Sequence, residues 1–130
     1  MRIIDHIGME FSDFPRALRF YRQALAPLGI SVAMRVTKEE TGNYEAAGLG
    51  ANGKPSFWIG GGQRTTPRVH VAFVAETRAA VDRFFEAALA AGGVDNGGPG
   101  IRAHYHPNYY GAFVLDPEGH NIEAVCHAAE

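Results

Sequence analysis

DHIGMEFSDFPRALRFYRQAL, residues 5–25, and VHVAFVAETRAAVDRFFEAAL, residues 69–89, are two versions of one pattern. A shift of 64 residues lays His6 over His70, Arg19 over Arg83 and Phe20-Tyr21 over Phe84-Phe85. It also carries Ala24-Leu25 onto Ala88-Leu89 and Gly29 onto Gly93. Each version opens with a β-branched and aromatic run, residues 2–9 and 68–75, that reads as a strand. Each continues into an amphipathic helix. In 14–25, Leu18, Tyr21 and Leu25 form one face, flanked by Phe14, Phe20 and Ala24; in 78–93, Val81, Phe84, Phe85 and Leu89 turn inward. Ser12 or Asp13 caps the first helix and Gly29 ends it; Thr77 caps the second, which stops at Gly92-Gly93. A repeat at half length is a duplication, whereas a solenoid needs shorter units.

Strand-like sequence follows each helix. The first half carries it at 31–37, 43–50 and 55–61. The second half has a weak strand near 101–105, then 109–116 and 120–126, the last two joined by the turn DPEG (116–119). Residues 92–100 read as a loop and QRTTP (63–67) as the connection between halves. The expectation is one α+β domain over 1–130 made of two βαβββ modules, module one at 1–62 and module two at 68–127.

Composition removes several classes of function. A net charge of −2 leaves no basic field for nucleic acid or an anionic membrane surface. No apolar run reaches membrane-spanning length and MRIIDHIGM lacks a signal-like apolar region, so a cytoplasmic address is expected. Cys126 is the single cysteine. It excludes an intrachain disulfide and, in an apolar strand, reads as a small buried hydrophobe.

Alternation along strands decides which residues can meet. His6 shares a face with Ile4 and Gly8, His70 with Ala72 and Val74, and Glu123 with Asn121 and Val125. A carboxylate between Ile122 and Ala124 is the least expected residue, because burying it costs several kcal/mol unless cations or donors meet it. Taken singly, each histidine also reads as an ordinary half-buried strand residue, and Glu123 as one on an exposed face. Together, two histidines at matched positions and one carboxylate are the ligand set of a divalent metal with open coordination positions.

The whole chain resembles the vicinal-oxygen-chelate superfamily, which holds glyoxalase I and the fosfomycin-resistance, bleomycin-resistance and extradiol dioxygenase proteins. The opening and mid-chain segments quoted above carry the likeness, with YYGAFVLDPEGHNIEAVC (109–126) the most specific part. The resemblance implies a cupped half-barrel with helices outside and, from its open apolar faces, a homodimer. It implies a metal held by His6, His70 and Glu123, with Zn, Ni, Mn or Fe as candidates. The implied activity is a lyase, isomerase or transferase acting on a small oxygen-bearing substrate. A ring-cleaving Fe(II) dioxygenase is one alternative, and a non-catalytic drug- or metabolite-binding module is another. Glyoxalase I has a further carboxylate on the last strand of module one. Here the 64-residue shift puts Ile59 opposite Glu123, and a one-residue register change gives Trp58 or Gly60, none of which ligates a metal.

The remaining candidates lie in HYHPNYY (104–110). Alternation puts His104 and His106 on one face, with Tyr105 opposite; these three are candidate catalytic or substrate-contacting groups. Tyr105, Tyr109 and Tyr110 offer phenols and aromatic walls at a pocket mouth, or simple strand-edge packing. His120 reads as a turn or rim residue and His127 as solvated. Trp58 faces either the cavity or the helix layer.

Overall fold

The structure is a computed structural model describing residues 3–129; residue 2, inside the expected first strand, lies outside that range. Strand β1 (Ile7–Phe11) buries Met9 and Phe11 and exposes Gly8 and Glu10. Helix α1 (Phe14–Leu25) follows, and of the two candidate caps Asp13 is the one used: its Oδ1 accepts from the Arg16 N–H at 3.2 Å. The helix buries Phe14, Ala17, Leu18, Phe20, Tyr21, Ala24 and Leu25, then tightens into a 3-10 turn at Ala26–Leu28. Next come β2 (Ser31–Val36), one unexpected helical turn α2 (Lys38–Thr41), β3 (Ala46–Gly50) and β4 (Phe57–Gly61). A Thr37–Glu40 capping box explains α2, which falls between the expected strands 31–37 and 43–50.

Module two repeats the plan with β5 (His70–Val74), α3 (Arg78–Ala90), β6 (Val94–Asp95), β7 (Gly100–Ile101), β8 (Tyr110–Leu115) and β9 (Asn121–Cys126). Thr77 caps α3 as expected. The buried face of α3 is Ala80, Val81, Phe84 and Ala88; Phe85 is only half-buried and Leu89 is 37% exposed. Small residues therefore do the packing expected of those two, which lets α3 lie close against its sheet and against α1.

The strand orders are β1-β4-β3-β2 and β5-β9-β8-β6, with the short β7 also paired to β8. In each module the first strand pairs in parallel with the last, β1 with β4 and β5 with β9. Both helices cover one face of the sheets, where Phe11, Phe20, Tyr21, Val81, Phe84, Val114 and Ile122 form a continuous core. The other faces are the cup. The modules meet where α1 packs on α3 and where the rings of Phe57 on β4 and Phe73 on β5 lie 5.1 Å apart. A cavity of about 440 Å³ between them is lined by Asp5, Ile7, Phe57, His70 and Phe73 among others.

One buried polar frame fixes the hairpin that delivers β9. Asp116 accepts the Tyr21 hydroxyl at 2.5 Å through Oδ2 and the Glu118 and His120 amides, each at 2.9 Å, through Oδ1. His120 is fully buried, which corrects its reading as a rim residue. Its Nδ1 accepts the Val69 N–H at 3.0 Å, tying the hairpin to the start of β5, and its ring stands perpendicular to that of Phe11. Cys126 is buried, as expected.

Candidate functional site

The β5–β9 ladder sets His70 beside Asn121 and Ala72 beside Glu123, all on the cup face. From there the imidazole spans two positions of β9. Its Nδ1 lies 3.0 Å from the Asn121 carbonyl oxygen and its Nε2 3.1 Å from Glu123 Oε1. A carbonyl only accepts, so Nδ1 carries the hydrogen. In the neutral ring Nε2 then turns a lone pair toward a carboxylate oxygen. Two lone pairs facing each other at that distance repel unless a proton or a cation lies between them.

Glu123 is 1% exposed, while the His70 side chain is about half exposed. The second carboxylate oxygen, Oε2, accepts from the Tyr109 hydroxyl. Burial first, then this hydrogen bond and the Glu123 charge, push the Tyr109 phenol up to about 12, so it stands as a donor. Gly111 makes the contact sterically open. A Cβ there would sit 3.2 Å from both Glu123 Oε2 and the Tyr109 ring. Phe113, opposite Glu123 in the hairpin, stacks on His70 with ring centroids 6.2 Å apart.

Tyr109 as a partner of Glu123 is what reading the sequence missed. The signal was present in the spacing, since Tyr109, Gly111 and Phe113 alternate onto the same face of the sheet as Glu123. The expected alternation of His104, Tyr105 and His106 fails because residues 103–108 form turns rather than a strand. The Arg102 carbonyl accepts the Tyr105 amide, and the His106 carbonyl accepts that of Tyr109. His104 packs on Tyr105, and His106 Nδ1 takes the Asn108 N–H. Neither histidine bonds to His70 or Glu123. Tyr105 stacks against Tyr109, and His127, exposed as expected, also lies against the Tyr109 ring.

His6 stands just before β1, its side chain 57% exposed. Its Nδ1 lies 2.7 Å from Asp5 Oδ2, and Lys54 holds the other Asp5 oxygen at 2.7 Å. The Lys54 ammonium and then His6 draw the Asp5 carboxyl down to about 2. Nδ1–H is thus given to a carboxylate, and Nε2 is left facing outward. Within one chain the three expected ligands do not converge: His70 joins Glu123, His6 does not, and no three His, Cys, Asp or Glu groups gather among the described residues.

The ladders also settle the position equivalent to Glu123. Ala72 pairs with Glu123 in module two, and its counterpart Gly8 pairs with Trp58 in module one. The indole lies over Gly48 on the cup face, so module one has no carboxylate at the position equivalent to Glu123.

A family model described as the Glyoxalase/Bleomycin resistance protein/Dioxygenase superfamily matches residues 3–124. No curated protein matches the sequence. Among solved structures, a glyoxalase/bleomycin resistance protein from Albidiferax ferrireducens T118 is 24% identical, with a TM-score of 0.72 over 96% of this chain and 98% of its own. A glyoxalase-related enzyme from Fulvimarina pelagi is 19% identical, with a TM-score of 0.66 over 97% of this chain and 88% of its own. A glyoxalase I mutant from Zea mays is 20% identical, with a TM-score of 0.70 over 94% of this chain and 46% of its own. At these identities the likeness is one of fold.

Proposed function

The chain belongs to the Glyoxalase/Bleomycin resistance protein/Dioxygenase superfamily, and from that premise we propose a metal-dependent lyase, isomerase or transferase acting on a small oxygen-bearing molecule. The observation that carries this is the His70–Glu123 pair. Its N···O separation of 3.1 Å matches two neighbouring donors on one ion, since bonds of about 2.1 Å at roughly 90–110° put donors about 3.0–3.4 Å apart. A cation there also removes the opposition of lone pairs. The surroundings suit such a site. The Asn121 carbonyl fixes the His70 tautomer and the Tyr109 hydroxyl fixes the second Glu123 oxygen, as partners of metal ligands commonly do.

The third ligand of this reading is His6, supplied by a second copy of the chain. Its Nδ1 is anchored on Asp5 just as that of His70 is anchored on a carbonyl, and in both rings Nε2 is left with the lone pair a metal would take. The imidazole is more than half exposed, two residues from Ile4, which is 63% exposed, and Val74 of β5 adds further uncovered apolar surface at 74%. A homodimer buries that surface and brings an outward-facing His6 to a partner's two-ligand site.

When bound, a divalent ion with three protein ligands chelates adjacent substrate oxygens and acts as a Lewis acid toward developing negative charge. The chain's own residues do the rest. His70 and Glu123 hold fixed positions on a ladder, Phe113 closes one side of the imidazole, and Tyr109 keeps Glu123 from rotating. Trp58 in place of a fourth ligand leaves coordination positions for substrate.

The test is metal content of untagged protein by inductively coupled plasma mass spectrometry, beside Glu123→Ala, followed by chain mixing. Near-stoichiometric metal that disappears in Glu123→Ala supports the reading; no metal after reloading with Zn, Ni, Mn and Fe ends it. His6→Ala and Glu123→Ala chains each lack a complete site, and mixing them restores metal binding only where His6 crosses between copies.

A further inference from the structure

His70 lines two cavities. One is the groove between β1 and β5; the other, of about 350 Å³, lies on its Asn121 side and is lined by Arg68, Val69, His70, Asn96, Leu115, Gly119 and Asn121. The second differs from its neighbours in charge. The cavities near Lys38 and Arg83 also contain Glu45 and Glu76, and the β1–β5 groove contains Asp5. The Arg68 cavity has a guanidinium and no carboxylate among its lining residues.

Its polar groups are arranged as donors. Asn96 Nδ2 donates to Asn121 Oδ1 at 3.3 Å, so the Asn121 amide is oriented with both its N–H groups left over. Arg68 makes no ion pair among the described residues. Its stem runs beside Gly119, where a Cβ would lie 3.5 Å from Cδ, and Gly119 holds a φ of 91° in the turn that ends at His120. The frame set by Asp116 therefore shapes one wall of the cavity.

We propose that this cavity is the subsite for an acidic group of the substrate, a carboxylate or a phosphate, held by Arg68 and Asn121. A planar guanidinium with amide donors beside it suits an oxyanion of either kind. Asn121 and Glu123 are two residues apart on the same face of β9, a step of roughly 7 Å. The substrate class is then a small anion whose acidic group lies about that far from the oxygens it presents to the metal. The chelating end of this description rests on the metal-centred reading above; the acidic end rests on the cavity alone.

The experiment is ¹⁵N NMR of the whole protein in chelator, following the side-chain amides of Asn96 and Asn121 while inorganic phosphate or glutarate is added against a sodium chloride control. Saturable shifts are expected with at least one of the two anions, and the tighter one identifies the acidic group. Arg68→Gln should weaken that binding about tenfold or more, with its own spectrum reporting that it is folded. Arg83→Gln, in another cavity, should leave it unchanged. Absence of saturation with both anions, or shifts that persist unaltered in Arg68→Gln, would overturn the proposal. Mn²⁺ added after the chelator has been dialysed away separates the two ideas. Anion binding without broadening around His70 keeps the subsite and counts against the metal reading, which the four-metal reloading then decides, whereas broadening without anion binding sinks the subsite alone.

Discussion

Glu123→Gln should stabilise the metal-free protein and abolish the proposed metal binding. The carboxylate is 1% exposed, and holding such an ion away from water costs several kcal/mol. Against this it receives one charged hydrogen bond from Tyr109, worth about 1.5–3 kcal/mol. The neutral imidazole offers a lone pair where a donor is needed. Glutamine has the same shape and reverses that mismatch. Its carbonyl still accepts from Tyr109, and its amide donates to His70 Nε2, so every polar atom is paired with no buried charge. The net gain is about 1–2 kcal/mol, and at this chain length each kcal/mol moves the melting temperature by about 3–5 °C. Scanning calorimetry in chelator should show the variant melting higher than wild type, and adding Zn²⁺ or Mn²⁺ should raise only the wild type. A variant that melts lower in chelator would refute the reasoning, because it would mean that His70 and Glu123 already form a net-stabilising pair without a metal.

Tyr109→Phe removes the donor to Glu123 Oε2 while leaving all three proposed ligands in place; metal affinity, measured by competition with a chromophoric chelator, should fall about 10–100-fold. Tyr21→Phe leaves Asp116 Oδ2 without its buried partner and should cost about 1.5–3 kcal/mol, read as a lower urea midpoint with an unchanged slope. Glu118 supplies a pH dependence apart from the proposed metal ligands. Partial burial works to raise its carboxyl, but the Asp13 amide, the Ser12 hydroxyl and amide, and Arg64 outweigh this and hold it below the ordinary 4.5. A lowered folded value means that its contribution is full above pH 4.5 and fades as the pH falls through that lower value. Urea titrations from pH 6 downward should show Glu118→Gln less stable than wild type at the top of the range, with the gap closing in acid.

How far the sequence could be read depended on the range of the interactions involved. The half-length repeat, both long helices and the three ligand candidates rest on strand alternation and helical periodicity, and β5 and β9 carry His70 and Glu123 on one face as those rules require. The rules gave out where the backbone follows neither period. Residues 103–108 turn around Pro107, so His104 and His106 lost the face that alternation gave them. Non-local registers were also beyond reach. Whether Ile59, Trp58 or Gly60 matches Glu123 depends on one residue of extra length between first and last strand in module two, and only the ladders count it. The burial of His120 depends on bonds to Val69 and Asp116, and nothing in GHN announces them.

The position of β9 between β5 and β8 has a consequence for the order in which the protein is made. Until residues 121–126 leave the ribosome, β5 has no partner, and the strand carrying His70 is an open edge of Val, Phe and Ala that is prone to pair with other chains. Module one closes as soon as β4 emerges, well before module two can. The strand that gives β5 its partner is the one that carries Glu123. Sealing the second sheet and completing its half of the site are therefore a single event during synthesis, and a truncated chain that stops short of β9 forfeits both.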